Sequence, residues 1–400
     1  MKQALRSGFA ALAFLLPALP APSAAQPAPY EINVILPLTG GAAFVGQSNL
    51  ETLRIAEKTV NAEGGIHGRP VRFTVLDDQS NPTIDVQLTA GLIAKHVNAI
   101  IQGGLAASCR ATVPLVSANG PVMYCTSPSY TPQLAGYVFV SGTATLDGMH
   151  AIFNYLKWHN WKRIAVMSTT DASGQEGDSV LQQLLALPAF RDLQVTDYEH
   201  FAPADLSVQA QMIKIRESKP DVVIAWGSGA PVQTELRAIK EAGITVPIVV
   251  SLANQNYGTM NQWSDIIPPQ LLLYSLKWPS FSTIGRGPVK DAIAVMYKAF
   301  DAAKAKPDGG AAVMWDPVMI LVHELRVLPE DATAQQLRDA ILGLHGFAGI
   351  DGYYDYRGNQ RGVGLKDDIV VRWDSQHHTG WIPMSASAGA PLHDISHSLP

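Results

Sequence analysis

Residues 31 to 82 read as strand, helix and strand with a glycine turn at each junction, and no other stretch of the chain restricts its fold as strongly. Ile32, Val34 and Ile35 begin a strand that Pro37 stops. Leu50, Leu53, Ala56 and Val60 then recur at helical spacing until Gly64-Gly65, and Val71, Phe73 and Val75 alternate as a second strand. A crossover of this length makes a right-handed parallel unit, whose ligands sit beyond the carboxyl ends of the strands. Here those ends are Pro37-Leu38-Thr39-Gly40 and Asp77-Asp78.

Alternation of strands and helices continues, so the fold class is α/β with mainly parallel sheets flanked by helices. Apolar runs at 99–104, 121–125 and 137–140 complete a first set of five strands, and the small, polar segment Ser141 to Gly148 reads as a crossover into a second lobe. Further strands start near 163, 193, 221 and 247. After the apolar run at 271–278 the chain should return to the first lobe with helices at about 288–304, 312–327 and 334–344, and Gly349 to Trp373 should finish the second lobe. The expected division is therefore 26–143 and 275–348 in lobe 1, 144–274 and 349–384 in lobe 2, and a flexible tail at 385–400. Two lobes also follow from length, because the ~375 residues left after a leader is removed exceed what one hydrophobic core serves.

Lys2 and Arg6 precede an apolar run from Gly8 to about Ala18, and small residues follow up to Ala25. This is the pattern of a secretory signal over 1–25, and Pro17 and Pro20 cut the run short of the ~20 residues that a membrane span needs. With no cysteine near the cleavage site, a free protein in the periplasm is expected rather than a lipid-anchored or membrane-inserted one. Without Lys2 and Arg6, the 29 basic side chains fall to 27 against 34 acidic ones, a formal charge of −7 that does not suit nucleic acid. Cys109 and Cys125 are the only cysteines. In an oxidising compartment they form either a disulfide, with the bridge slightly favoured, or two buried thiols. Their spacing excludes a CxxC metal or redox site. The histidines at 377, 378, 393 and 397 lack helix-ligand spacing and are expected to be solvated, so no metal and no cofactor is expected.

Together, PLTG at 37–40, FVG at 44–46, Val60-Asn61-Ala62, Glu63 to Gly68, Leu76-Asp77-Asp78 and Asn81-Pro82 resemble the first lobe of the leucine/isoleucine/valine-binding proteins, type I solute receptors of ABC importers. The likeness continues through Gly103-Gly104, Ser127-Pro128-Ser129 and Thr131-Pro132 to GIDGYYDYRGNQRG at 349–362. It implies a two-lobe fold with a three-crossover hinge, closure on a small molecule, and a monomer that hands its ligand to a membrane permease.

The resemblance also implies a binding site. In that family, the turn opening the helix at 103–112, with the loop after the next strand, grips the ligand's carboxylate. Free N–H groups at a helix start suit an anion. Ala107 and Ser108 both fall near the family's serine, and Ser127 and Ser129 match its second loop. The family's partner for a ligand ammonium is a second-lobe carboxylate, which is absent from the loop at 252–257, and Val45 stands where the family has a cleft tyrosine. Asp171 is the one acid weighed as a replacement. The remaining candidates are Phe44, Tyr130, Ser173, Trp226, Asn254 and Tyr257, with Trp315, Arg110 and Lys277 having core or solvated readings beside a site reading.

The expected function is capture of a small carboxylate-bearing ligand, an amine-free acid with aromatic acids included, for import. The alternatives are a true amino-acid receptor and a sensor serving a membrane signalling partner. An enzyme is disfavoured by the lack of a G-x-S-x-G turn, an HExxH helix or a phosphate loop.

Overall fold

A computed structural model describes residues 27–127, 130–377 and 380–392. The signal segment 1–25, Ser129, His378 and the last eight residues, with His393 and His397, lie outside the described residues.

The chain runs β1 (Tyr30–Leu36), α1 (Ala43–Ala62), β2 (Val71–Asp77), α2 (Pro82–Ala94), β3 (Ala99–Gln102), α3 (Ala106–Val116), β4 (Val122–Cys125) and β5 (Val138–Val140). These five strands form one parallel sheet in the order β2-β1-β3-β4-β5. Every residue of β3, β4 and β5 is buried, as expected for strands covered by helices on both faces.

A second run follows: α4 (Thr145–Trp158), β6 (Arg163–Thr169), α5 (Ala172–Leu185), β7 (Gln194–Phe201), α6 (Gln209–Glu217), β8 (Val222–Trp226), α7 (Ala230–Glu241), β9 (Ile248–Val250), α8 (Tyr257–Gln262) and β10 (Leu271–Ser275). Helices α9 (Pro288–Ala303), α10 (Gly309–Val327) and α11 (Ala334–Gly343) return to the first sheet, where α9 and α10 pack on α1 and α11 on β4. A hairpin of β11 (His345–Ala348) and β12 (Tyr353–Asp355) precedes β13 (Ile369–Trp373) and β14 (Trp381–Pro383). Strand β13 pairs antiparallel with β10 and β14 antiparallel with β13, giving a seven-stranded sheet in the order β14-β13-β10-β9-β8-β6-β7.

The expected helices near 288, 312 and 334 are present, with α10 starting three residues earlier than its apolar spacing predicts. Asp308 explains the earlier start, because its carboxylate accepts a hydrogen bond from Gly310 N at 2.9 Å and caps the helix. The flexible tail expected from 385 needs correction for its described part. Ser385 is buried and its Oγ accepts a hydrogen bond from Val370 N at 2.7 Å, Ala388 N donates to Asp368 O at 2.7 Å, and Asn154 Nδ2 donates to Ala388 O at 2.9 Å. Residues 385–392 therefore pack on α4 and β13, an anchorage that a polar, small-residue composition does not reveal.

The three connections between the sheets lie side by side and are tied by polar contacts. Thr143 Oγ1 donates to Asp368 Oδ1 at 2.7 Å, Lys277 Nζ pairs with Asp367 Oδ1 at 3.1 Å, and the Arg361 guanidinium donates to the carbonyls of Gly142 and Thr143 at 3.4 Å.

Candidate functional site

In each sheet the strand order reverses once along the chain, and a crevice opens where neighbouring strands send their helices to opposite faces. In the first sheet this is between β1 and β3, and in the second between β6 and β8. The two crevices face one another across a cleft of about 390 Å³, which fits a small organic molecule.

The first-sheet wall comes from the start of α1 (Phe44, Val45, Ser48, Asn49), the turn into α3 (Gly104 to Ala107, and Arg110), the end of β4 (Thr126, Ser127) and the start of α10. Gly104 has φ +85°, and a Cβ there would lie 2.8 Å from Val45 Cγ1, so glycine lets the turn close against α1. Gly104 N donates to Thr126 Oγ1 at 2.8 Å, fastening this turn to the loop after β4. Ala106 and Ala107 line the cleft, and as first-turn residues of α3 their N–H groups have no preceding helical turn to bond. A disulfide joins Cys109 to Cys125 with Cα atoms 6.0 Å apart, so it is the bridged form of the two cysteines that is present. The bridge ties the first turn of α3 to the end of β4, directly behind the proposed anion site.

The opposite wall is built by Asp171, Ala172, Ser173 and Glu176 at the start of α5, by Trp226 at the end of β8 and Ser228 just after it, and by Ser251, Leu252, Ala253, Gln255 and Asn256 after β9; Thr145 and Tyr274 line it near the connections. A Cβ on Gly177 would lie 2.2 Å from Trp226 Cδ1, so glycine there allows the indole to lie flat on α5. Phe44 of the first wall reaches over to Gly229, 3.4 Å from the place of a Cβ there, and Gly309 N donates to Gln255 O at 2.6 Å. The two lobes therefore touch across the mouth.

Six of the expected residues line the cleft: Phe44, Val45, Ala107, Ser127, Ser173 and Trp226. Four do not. Ser108 is fully buried one position past Ala107 on α3, beside the Asp85 carboxyl behind the sheet edge. A helical step of about 100° turns it away while Ala107 faces forward. Tyr130 packs on the disulfide and Val140. Asn254 is fully buried as a brace, its Oδ1 accepting from Gly229 N at 3.0 Å and its Nδ2 donating to Gly227 O at 3.1 Å. Tyr257 points out of the cleft against Trp373 and Lys306. Trp315 is core filler beside Phe300, and Lys277 is engaged by Asp367.

The charges divide by wall. Arg110 lines the first wall, is exposed, and makes no hydrogen bond or ion pair among the described residues. On the second wall, Asp171 caps α5, its Oδ1 accepting from Thr169 Oγ1 at 2.7 Å and from Ser173 N and Gly174 N at 3.1 Å. Glu176 also lines this wall, and as a second-turn residue of α5 it belongs to none of the strand-end loops that sequence motifs mark. Its half-buried carboxylate faces Tyr274 and lies in the field of Arg361. Burial pushes the Arg361 guanidinium down to about 10, and Asp147, the Tyr274 phenol, Glu176 and Asp368 oppose that shift. Asn49, Ser48, Asn256 and the Gly309-Gly310 start of α10 also line the cleft and were not anticipated. None belongs to a motif, and only the packing of α1 against α10 brings them there.

The periplasmic binding protein family model matches residues 29–378. Among curated proteins, an amino acid binding protein of Pseudomonas aeruginosa is 27% identical over 223 residues, covering 54% of this chain and 58% of that one. Leu/Ile/Val-binding protein homolog 3 of Brucella melitensis is 25% identical over 237 residues, 56% of this chain and 62% of its own length. The chain thus spans about three fifths of the curated relatives it matches. Solved structures superpose over far more. An extracellular ligand-binding receptor from Rhodopseudomonas palustris HaA2 gives a TM-score of 0.75 at 19% identity, covering 89% of this chain and all of that one. The substrate-binding protein LivJ of Streptococcus pneumoniae, complexed with isoleucine, gives 0.72 at 16% over 89% of this chain and 99% of its own. An R. palustris solute-binding protein complexed with benzoate gives 0.73 at 18% over 91% and 97%. At these identities the likeness is one of fold, and it is a two-lobe fold.

Proposed function

This chain belongs to the periplasmic binding protein family, and on that premise we propose that it encloses a small organic acid lacking an ammonium group and delivers it to an ABC importer. The observation that carries this reading is the asymmetry of cleft charge. The first wall offers the first-turn N–H groups of α3 and Arg110, which pairs with no group among the described residues, a combination suited to a carboxylate. On the second wall, Asp171 Oδ1 is held by three donors, and Glu176, after Asp147 and Tyr274, is one of the groups whose charge acts on the buried Arg361. A ligand ammonium buried there without a free anion would cost several kcal/mol. Trp226, Phe44 and Val45 give the body of the ligand an apolar surround. Export by the leader at 1–25, a periplasmic location, a monomeric state and the absence of chemistry of its own complete the reading.

Glu176 favours one other reading. No hydrogen bond from the protein reaches its carboxylate among the described residues, so it is able to take an ammonium and make this a true amino-acid receptor. Calorimetric titration of matched pairs, an acid and its 2-amino counterpart, against wild type and Glu176→Gln separates the two. The organic-acid reading expects the acid to bind in both proteins and the amino acid to bind in neither. Binding of the amino acid that Glu176→Gln reduces about tenfold or more, as expected for loss of a charged hydrogen bond, would establish the second reading instead.

A further inference from the structure

Asn49 is the buried polar residue of the cleft that the fold itself leaves unused. It sits in the second turn of α1, is fully buried and lines the cleft, and neither its Nδ2 nor its Oδ1 has a hydrogen-bond partner among the described residues. Its polar neighbours on α1 are engaged: Ser48 Oγ donates to Asp308 Oδ1 at 2.6 Å and Thr52 Oγ1 to Ser48 O at 3.2 Å. Buried side-chain amides without partners are rare in native folds, and each calls for a specific reason. Packing supplies none here, since the amide adjoins the apolar Leu36 at Gly103, where leucine, with the same branched outline, would serve.

Position supplies one. Asn49 Nδ2 lies 3.3 Å from the place of a Cβ on Gly103, so the amide adjoins the turn that opens α3. It offers one donor and one acceptor side by side at the end of the cleft where the ligand's carboxylate is held. We propose that Asn49 is a specificity-determining residue that reads a hydroxyl next to the ligand's carboxylate, which makes the preferred ligand class the 2-hydroxy acids. This rests on the organic-acid reading of the cleft. A 2-hydroxy acid presents an oxygen to Nδ2 and a proton to Oδ1 together. A 2-oxo acid offers acceptors alone and leaves Oδ1 unpaired, and an unsubstituted acid does not extend to the amide at all. A 2-amino acid offers donors, but brings its positive charge beside Arg110 and the positive end of α3.

The test is calorimetric titration with two body-matched series: phenylacetate, mandelate and phenylglycine; and 4-methylvalerate with its 2-hydroxy, 2-oxo and 2-amino forms. Wild type should bind the hydroxy acid of at least one series about tenfold or more tighter than its parent acid. In Asn49→Ala the preference should be lost, hydroxy and parent acids binding within about threefold of one another. Asn49→Leu, which keeps the branched outline of the side chain, gives the same readout if the alanine variant does not fold. Equal affinity of wild type for hydroxy and parent acids overturns the inference, as does a preference that survives in the variants. Uniform weakening of every acid in both folded variants also overturns it, by marking Asn49 as structural. If wild type binds only 2-amino acids, or no acid of either series, the organic-acid reading itself has failed and this inference falls with it.

Discussion

At the scale of single residues, one step along a helix separates a cleft residue from a core residue. The pair Ala107 and Ser108 shows this. Sequence places both near the same functional turn, and only the phase of α3 decides that Ala107 opens onto the cleft while Ser108 lies behind it. Asn254 shows the converse, since a polar residue in a strand-end loop looks like a ligand contact and is a brace between two loops. Behind α3, Asp85 is buried with Gln102 Nε2 and Thr89 Oγ1 as donors. Burial pushes its carboxyl up to about 6; the Gln102 bond opposes that shift and the nearby Asp78 charge adds to it. The folded protein therefore holds a proton that the unfolded chain gives up near the ordinary carboxylate value, so stability falls as pH rises from about 4 to about 6. Asp308 and Asp316, each also raised by burial to about 6, contribute in the same direction. Melting temperatures measured from pH 4 to 7 should decline through this window in wild type and decline less steeply in Asp85→Asn. Equal slopes would show that Asp85 does not titrate there.

At the scale of elements, the sequence announces what its periodicity encodes and conceals what packing decides. The strand, helix and strand of 31–82 appear as β1, α1 and β2, and the three return helices appear near their expected places, because each carries an apolar stripe and a stop signal of its own. Asn49 and the Gly309-Gly310 wall carry no such signal. They meet only because α1 and α10 pack closely, where a Cβ on Gly310 would lie 2.0 Å from Ser48 Oγ. Glu176 is hidden for a related reason, as it belongs to the second turn of α5 and to no loop motif. The disulfide acts between elements. With a sequence separation of 16, it should stabilise the fold by about 3 kcal/mol through loop closure. The double variant Cys109→Ala/Cys125→Ala should lower the melting temperature by several degrees and weaken ligand binding, because the α3 turn loses its tie to β4. An unchanged affinity at lowered stability would detach the bridge from the anion site.

At the scale of the whole molecule, two sheets with facing crevices, three adjoining connections and a mouth closed by Phe44 over Gly229 make one arrangement for enclosing a small molecule. Enclosure links binding to stability, since a ligand held by the folded protein alone raises the unfolding free energy by ~2.7 kcal/mol at a hundredfold excess over its dissociation constant. The measurement that tests the account most directly is a thermal-shift series on the purified protein without its leader, with amine-free organic acids and their 2-amino counterparts added separately. The account predicts a rise in melting temperature with the amine-free acids and none with the amino acids. A rise confined to amino acids, or no rise with any acid, would contradict it.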